Sequence, residues 1–413
     1  MNWLRSFVFA LSVVALAACA TASSPPTNGA APEEITILIG IDGFRADYLD
    51  RGETPVMSQL AAEGVRGSMS PSFPSVTFPN HYTLVTGRTP DHHGLINNRM
   101  EDPERPGVVF TLSDRAVASD PIWWNDAAPI WVSAERQGVR AGTMFWPGSE
   151  YEIQGQRPSQ YRVFDQSMPS FSRVDVLLSW LDLPAEQRPR FFTLYFDIVD
   201  TAGHRWGPDA IETSAAAAEV DAALGRLLAG LRARGYADRA NLVIAADHGM
   251  ARLEPNAIID VDALITPAQA RVIFDGQILG VTPLTGQEAQ VAQALVGRGA
   301  HGECWRKGEL PARFDFGAHR RVPAIMCMAD IGWRYRSTQL SQYGGSSLGA
   351  HGYDPDAPEM AAIFLAHGPA FADGVTLAKF PNVSVYPLLA RLAGVAPEAN
   401  QGDMADFNGA LAH

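Results

Sequence analysis

Ile35-Thr36-Ile37-Leu38-Ile39-Gly40-Ile41 is an unbroken, mostly β-branched run that stops on Asp42-Gly43. A strand that is apolar at every position, not every second one, is buried on both faces, as in a parallel sheet covered by helices. Residues 191–196 (FFTLYF) and 242–246 (LVIAA) repeat the pattern, and each runs into an acidic residue. Residues 139–145 read as a further strand. Helical stretches lie between. Residues 215–234 are Ala/Leu-rich and place Val220, Leu224, Leu227, Leu228 and Leu231 along an apolar stripe. Thr54-Pro55 opens a helix through Ala62, and Pro79 reads as the first position of another that runs to Val85 and stops at Gly87. The alternation predicts an α/β fold, a largely parallel central sheet with helices on both faces. From about residue 254 to 336 the rhythm breaks into short strand-like runs (ARVIF, RVPAIMCM) and a helix near residues 287–296, the mark of an inserted subdomain.

The chain has 413 residues, 46% of them hydrophobic, enough for one large domain with an insertion. A net charge of -13 argues against bulk nucleic acid as a partner. A small anionic substrate stays open, because bound cations invert the local field. At the start, Arg5 precedes an apolar stretch, residues 7–18, which is too short to span a bilayer and has the form of a signal peptide, residues 1–18. Leu16-Ala17-Ala18-Cys19 resembles the bacterial lipobox, whose cysteine is lipidated; the alternative is an ordinary cleaved signal. That resemblance implies a membrane contact by lipid anchor only, in the periplasm of a bacterial cell envelope, with Ala20 favouring the outer membrane. Residues 20–34 are small, polar and Pro-rich, which suits a tether between Cys19 and a domain spanning residues 35–413. Cys304 and Cys327 read either as a disulfide, worth about 3 kcal/mol, or as two buried thiols. No feature of the sequence fixes an oligomeric state.

In open α/β sheets, ligands bind beyond the carboxyl ends of the strands. Asp42, Asp200 and Asp247 all stand there. His204 follows Asp200 by four residues, one helical turn, and His248 adjoins Asp247 before a break at Gly249. His351 lies in GAHGYDP. Singly, such aspartates cap turns and such histidines pack in cores. Together, their oxygen and nitrogen donors suit borderline divalent cations such as zinc, and with the Thr77 hydroxyl they equip a two-metal ester hydrolase. For Thr77 alone the ordinary role is a helix N-cap. His81, His92 and His93 have no carboxylate at ligand spacing and read as structural; His301 with Glu303 and Cys304 reads as a surface loop.

Residues 75–82 (SVTFPNHY), then HHGLINNRM, WWNDAAPIW, FWPGSE, DTAGHRWGP, ADHGM and GAHGYDP, follow one another in order between about residues 35 and 370. This set resembles the nucleotide pyrophosphatase/phosphodiesterase family of the alkaline phosphatase superfamily. The resemblance implies an alkaline phosphatase-like fold and two zinc ions per chain. One would be held by Asp42, Asp247 and His248 and also contact the Thr77 oxygen; the other by Asp200, His204 and His351. Thr77 would be the nucleophile, passing through a phosphothreonine intermediate. Asn98 would contact a non-bridging phosphate oxygen, and Phe78 would form one wall of a nucleobase slot. Where the family places tyrosines to complete that slot, this chain has Tyr161 and Phe164, and a phenyl ring stacks but donates no hydrogen bond. Trp123 and Trp124 either line the site or pack in the core.

The implied reaction is hydrolysis of a small nucleotide phosphodiester or phosphoanhydride, with release of a nucleoside 5′-monophosphate. Two alternatives use the same scaffold: a choline- or lipid-headgroup phosphodiesterase, and a phosphate monoesterase. Asn98 is neutral and favours a monoanionic diester over a dianion, while the direction of the neighbouring Arg99 is not legible. A non-catalytic envelope lipoprotein is the remote alternative, and no nucleophile or ligand position is replaced as it would require. A sulfatase would need Cys or Ser in place of Thr77.

Overall fold

The computed structural model describes residues 33–340 and 347–412. The expected signal peptide, Cys19 and nearly all of the expected tether lie outside the described residues. Strand β1 (Ile35–Ile41) is buried at all seven positions, with Ile37, Ile39 and Ile41 fully out of contact with water. Each such side chain contributes roughly 1.5–3 kcal/mol by leaving water. β1 pairs in parallel with β2 (Phe191–Phe196) on one side and β3 (Ala240–Ala245) on the other. Both partners are buried throughout. Ala141–Met144 and Gln160–Tyr161 extend the sheet beyond β2, again in parallel.

On the far side of β3 the sheet departs from the parallel expectation. β4 (Ala362–His367) runs antiparallel to β3 and to Val65–Ser70 beyond it. The chain leaves β3 at its carboxyl end, builds the insertion, and returns at the same end, where Ala246 donates to the Ile363 carbonyl and Gly249 to that of Met360. A strand entering from that side runs the other way. Its sequence, AIFLAH, is as evenly apolar as its parallel neighbours and carries no mark of direction.

Helix α1 (Thr77–Thr86) begins two residues earlier than Pro79 indicates. The first four N–H groups of a helix have no partner within it, so proline at the third position forfeits no helical bond. Gly87, in the left-handed region at φ 63°, ends it. α2 (Ile198–Trp206) follows β2 at once, and α3 (Ile211–Ala233) buries Val220, Leu224, Leu227 and Leu231, packing on the helix Ser170–Leu181.

Between β3 and β4 lies a second, antiparallel sheet of five strands, ordered Ala270–Phe274, Ile278–Pro283, Ile325–Ala329, Gly302–Arg306 and Gly297–Arg298. It has its own core around Leu279, Val281, Val291 and Ala329. Cys304 and Cys327 stand directly opposite each other on adjacent strands and are joined by a disulfide.

Candidate active site

Four strand ends and one helix start deliver the expected side chains to one place. Asp42 leaves β1 and is buried. Gly43, at φ 67°, makes the turn, and a Cβ there would lie 3.0 Å from the Cα of Asp200. Only glycine lets the β1 and β2 loops approach so closely. α2 carries Asp200 and His204 on one face, one turn apart. Asp247 and His248 follow β3 and are fully buried. The two-residue strand Ala251–Arg252 pairs with Gly349–Ala350, which brings His351 back beside His248 with their rings stacked at 3.5 Å.

The donors fall into two triads, Asp42/Asp247/His248 and Asp200/His204/His351, each with its ligand atoms within 4.8 Å of one another. Every histidine is oriented by a backbone carbonyl. Nδ1 of His248 donates to Gly249, that of His204 to Gly349 and that of His351 to Ser75, each at 2.9 Å. All three Nε2 lone pairs therefore point inward, the tautomer that metal-binding histidines take. His204 and His351 bring theirs to 3.1 Å. Among the described residues, Oδ1 of Asp42, Oδ1 of Asp200 and Oδ2 of Asp247 are buried and meet no hydrogen-bond donor. Buried carboxylate oxygens without donors, facing lone pairs, are costly unless a cation lies between them. The donor set fits two divalent ions.

Burial, reinforced by the charges of Asp247 and Asp200, pushes the Asp42 carboxyl well above the usual carboxylate range. Burial also acts to raise Asp247, but the His248 and His81 rings outweigh it and hold that carboxyl well below the range. Burial disfavours a charged His248, while Asp247 raises its pKa on balance. Burial and the neighbouring His248 and His204 push His351 well below the ordinary histidine value.

Thr77 is the first residue of α1, its Oγ1 3.2 Å from Nε2 of His248. Val76, not Thr77, is the N-cap residue, so the N-cap role does not apply. Asn98 accepts the Phe78 N–H on Oδ1 at 2.8 Å, which leaves its NH₂ end as the free donor beside Thr77. Two more residues join the site: Tyr195, which the sequence reading passed over, and His81, which it read as structural. Tyr195 donates to Oδ2 of Asp42 at 2.5 Å, and Nδ1 of His81 donates to the Thr77 carbonyl at 3.0 Å, so that it lies 3.1 Å from Oδ2 of Asp247 without bonding to it. The spacing of His81, one helical turn after Thr77, was the available signal; the inward direction of Tyr195 on β2 had none.

A cavity of about 630 Å³ opens next to Phe78. Phe78, Leu112, Trp146, Tyr151, Phe164 and Tyr195 form its apolar walls, and Arg115, Glu150 and Gln166 its polar rim. Phe164 is where the sequence places a slot residue. Tyr161 is not: it sits on the edge strand paired with Thr143, with its hydroxyl bonded to Arg157. Trp123 and Trp124 are both fully buried in the core. Arg99 points away, to the Ile273 carbonyl.

A family model described as type I phosphodiesterase / nucleotide pyrophosphatase matches residues 36–354. An uncharacterised pyrophosphatase/phosphodiesterase of Schizosaccharomyces pombe is 35% identical over 92% of this chain and 80% of its own. A bis(5′-adenosyl)-triphosphatase of Xenopus laevis is 33% identical over 97% of this chain and 87% of its own. Among solved structures, murine ectonucleotide pyrophosphatase/phosphodiesterase 5, as an inactive threonine-to-alanine variant in complex with AMP, superposes with a TM-score of 0.87 at 30% identity, over 92% of this chain and 100% of that one.

Proposed function

The chain belongs to the type I phosphodiesterase / nucleotide pyrophosphatase family of hydrolytic enzymes, and on that premise we propose a two-zinc phosphodiesterase that works through a phosphothreonine at Thr77. What carries this reading is the convergence of three inward Nε2 lone pairs and three donorless carboxylate oxygens beside one threonine hydroxyl. Asp42, Asp247 and His248 would hold one zinc and Asp200, His204 and His351 the other, supplying Lewis-acid charge that lowers the pKa of the hydroxyl and of leaving oxygens. Three carboxylates and two divalent ions sum to +1, which attracts a phosphodiester monoanion.

Thr77 Oγ1 gives up its proton to solvent water and attacks phosphorus. The bond to the leaving group breaks, and the nucleoside monophosphate is carried as a threonine ester. Water then attacks the same phosphorus, and the Thr77 oxygen departs. At the N-terminus of α1 the developing negative charge on Oγ1 meets the positive end of the helix dipole. The Asn98 NH₂ donates to a non-bridging oxygen, where removing one such donor costs about 100-fold or more. Phe78 and Phe164 enclose a base in the adjoining cavity, with Tyr195 as its floor. The AMP held by the threonine-to-alanine structural relative supports a nucleotide as the substrate class, and the named activity of the Xenopus relative supports phosphoanhydrides within it.

The test uses a nitrophenyl ester of a nucleoside 5′-monophosphate. Chelation abolishes turnover and zinc restores it. Thr77→Ala lowers the rate at least about 1,000-fold while metal content by elemental analysis stays at two per chain. Wild-type rates in the variant would remove Thr77 from the mechanism, and turnover that survives chelation would remove the metals.

A further inference from the structure

We propose that the inserted subdomain sets the position of Asn98, with Arg321 as the positioning residue; the proposal rests on the reading of Asn98 as a donor to the phosphate. Asn98 lies in the middle of a short segment between Gly94 and Asp102, and insertion residues tie down both ends of it.

At the near end Arg321 is fully buried. Its Nη1 donates to the Gly94 carbonyl at 2.7 Å and to that of Trp123 at 3.3 Å, its Nη2 to that of Ile122, and its Nε to Oδ2 of Asp102 at 2.5 Å. Asp102, also buried, receives Nε of Arg320 at 3.1 Å and the Glu104 N–H at 2.9 Å. Gly94 is in the left-handed region at φ 80°, and a Cβ there would stand 2.7 Å from Nη1 of Arg321 and 2.5 Å from Oδ2 of Asp126. The turn is thus shaped to admit the guanidinium. At the far end Arg99 donates to the Ile273 carbonyl, and Arg271 pairs with Glu101. Ile273 and Arg271 share the first strand of the inserted sheet.

A buried ion pair contributes little net stability, since desolvation offsets attraction; its best-attested use is to fix register. The guanidinium suits that task, because five donors in a rigid plane fix several acceptors at once, which the three rotatable donors of lysine do not. Register matters here because an oxyanion donor works only within a fraction of an ångström of its target. The Phe78 N–H orients the Asn98 amide, and Arg321 with Arg271 holds the backbone that carries it.

Kinetics on the same nitrophenyl ester for wild type, N98A, R321K and R321K/N98A test this. N98A is expected to lower kcat/KM about 100-fold and R321K about tenfold, mainly in kcat. The double variant is expected to match N98A alone, because a positioning residue has nothing left to position. Equal losses from R321K in both backgrounds would overturn the proposal. Wild-type rates for N98A would instead overturn the reading of Asn98, and the proposal with it. Should R321K not fold, the exposed pair substitutes for it. R271E is expected to lower kcat/KM about threefold, E101R/R271E to restore it, and both effects to vanish in the N98A background. A folded R271E at wild-type rates would overturn the proposal.

Discussion

The strand-end loops and the anchor of the insertion both bury charge, and they treat it in opposite ways. Around Asp102, every charge has a partner: Arg320 and Arg321 share its carboxylate, and the remaining guanidinium donors of Arg321 find carbonyls. Around Asp42, Asp200 and Asp247, an oxygen of each carboxylate is buried without a donor. Histidines repeat the contrast. His93, fully buried near the anchor, accepts the Leu95 N–H on Nδ1 and places Nε2 3.1 Å from the Pro79 carbonyl, so both nitrogens are used. The ligand histidines give Nδ1 to a backbone carbonyl and turn Nε2 into the cluster. Paired charge marks the anchor of the insertion, and a cluster of buried carboxylate oxygens without donors marks the place where cations fit.

The sharpest way to break this contrast is to unpair the architectural side. Asp102→Asn leaves the Arg321 charge buried without a counter-ion and is expected to cost about 3–5 kcal/mol in denaturant unfolding; a cost under 1 kcal/mol would mean that the anchor is not a buried pair in solution. His93 sharpens it further. Burial pushes its ring down to about 3, below the ordinary histidine value near 6.5. The folded form therefore stays neutral while the unfolded chain takes up a proton. Its contribution is fully present above pH 6.5 and is lost as pH falls towards 3, at up to about 1.4 kcal/mol per pH unit. His93→Gln is expected to flatten the stability curve over that range by the same slope, and an unchanged slope would mean that the ring is hydrated or charged in the fold. The smallest effect belongs to the binding side. Because the folded pKa of Asp42 is raised by burial, its ionised form costs stability above the unfolded value, and in metal-stripped protein at pH 7 Asp42→Asn is expected to raise Tm, whereas after zinc add-back its zinc occupancy falls below wild type. A lower Tm for the stripped variant would show that the carboxylates are held together by something other than a cation.

Sequence and fold agree where burial is complete and local. β1, β2 and β3 were legible because unbroken apolar runs have one cheap solution, and each ends where an aspartate stands. The reversed β4 was not, because strand direction follows from where the chain re-enters and not from the residues that enter. The start of α1 was read late because proline is tolerated over the whole first turn, not only at its first position. At the site, the residues with chemistry distinctive enough to read, Asp42 to His351, were named from sequence; the structure added Tyr195 and His81, whose types are common and whose significance lies in direction. Cys304 and Cys327 were ambiguous until register put them face to face. Tyr161 failed as a slot residue because an edge strand turns it towards Arg157.

The order of the sheet also dictates when the protein becomes an enzyme. β4 wedges between β3 and Val65–Ser70, so strands made early stay apart until residue 367 exists. His351 is the last ligand, and Asp42 waits through more than 300 intervening residues for it. A chain threaded amino end first through a membrane would carry its whole reactive apparatus in pieces, and so would be chemically silent until synthesis is nearly over.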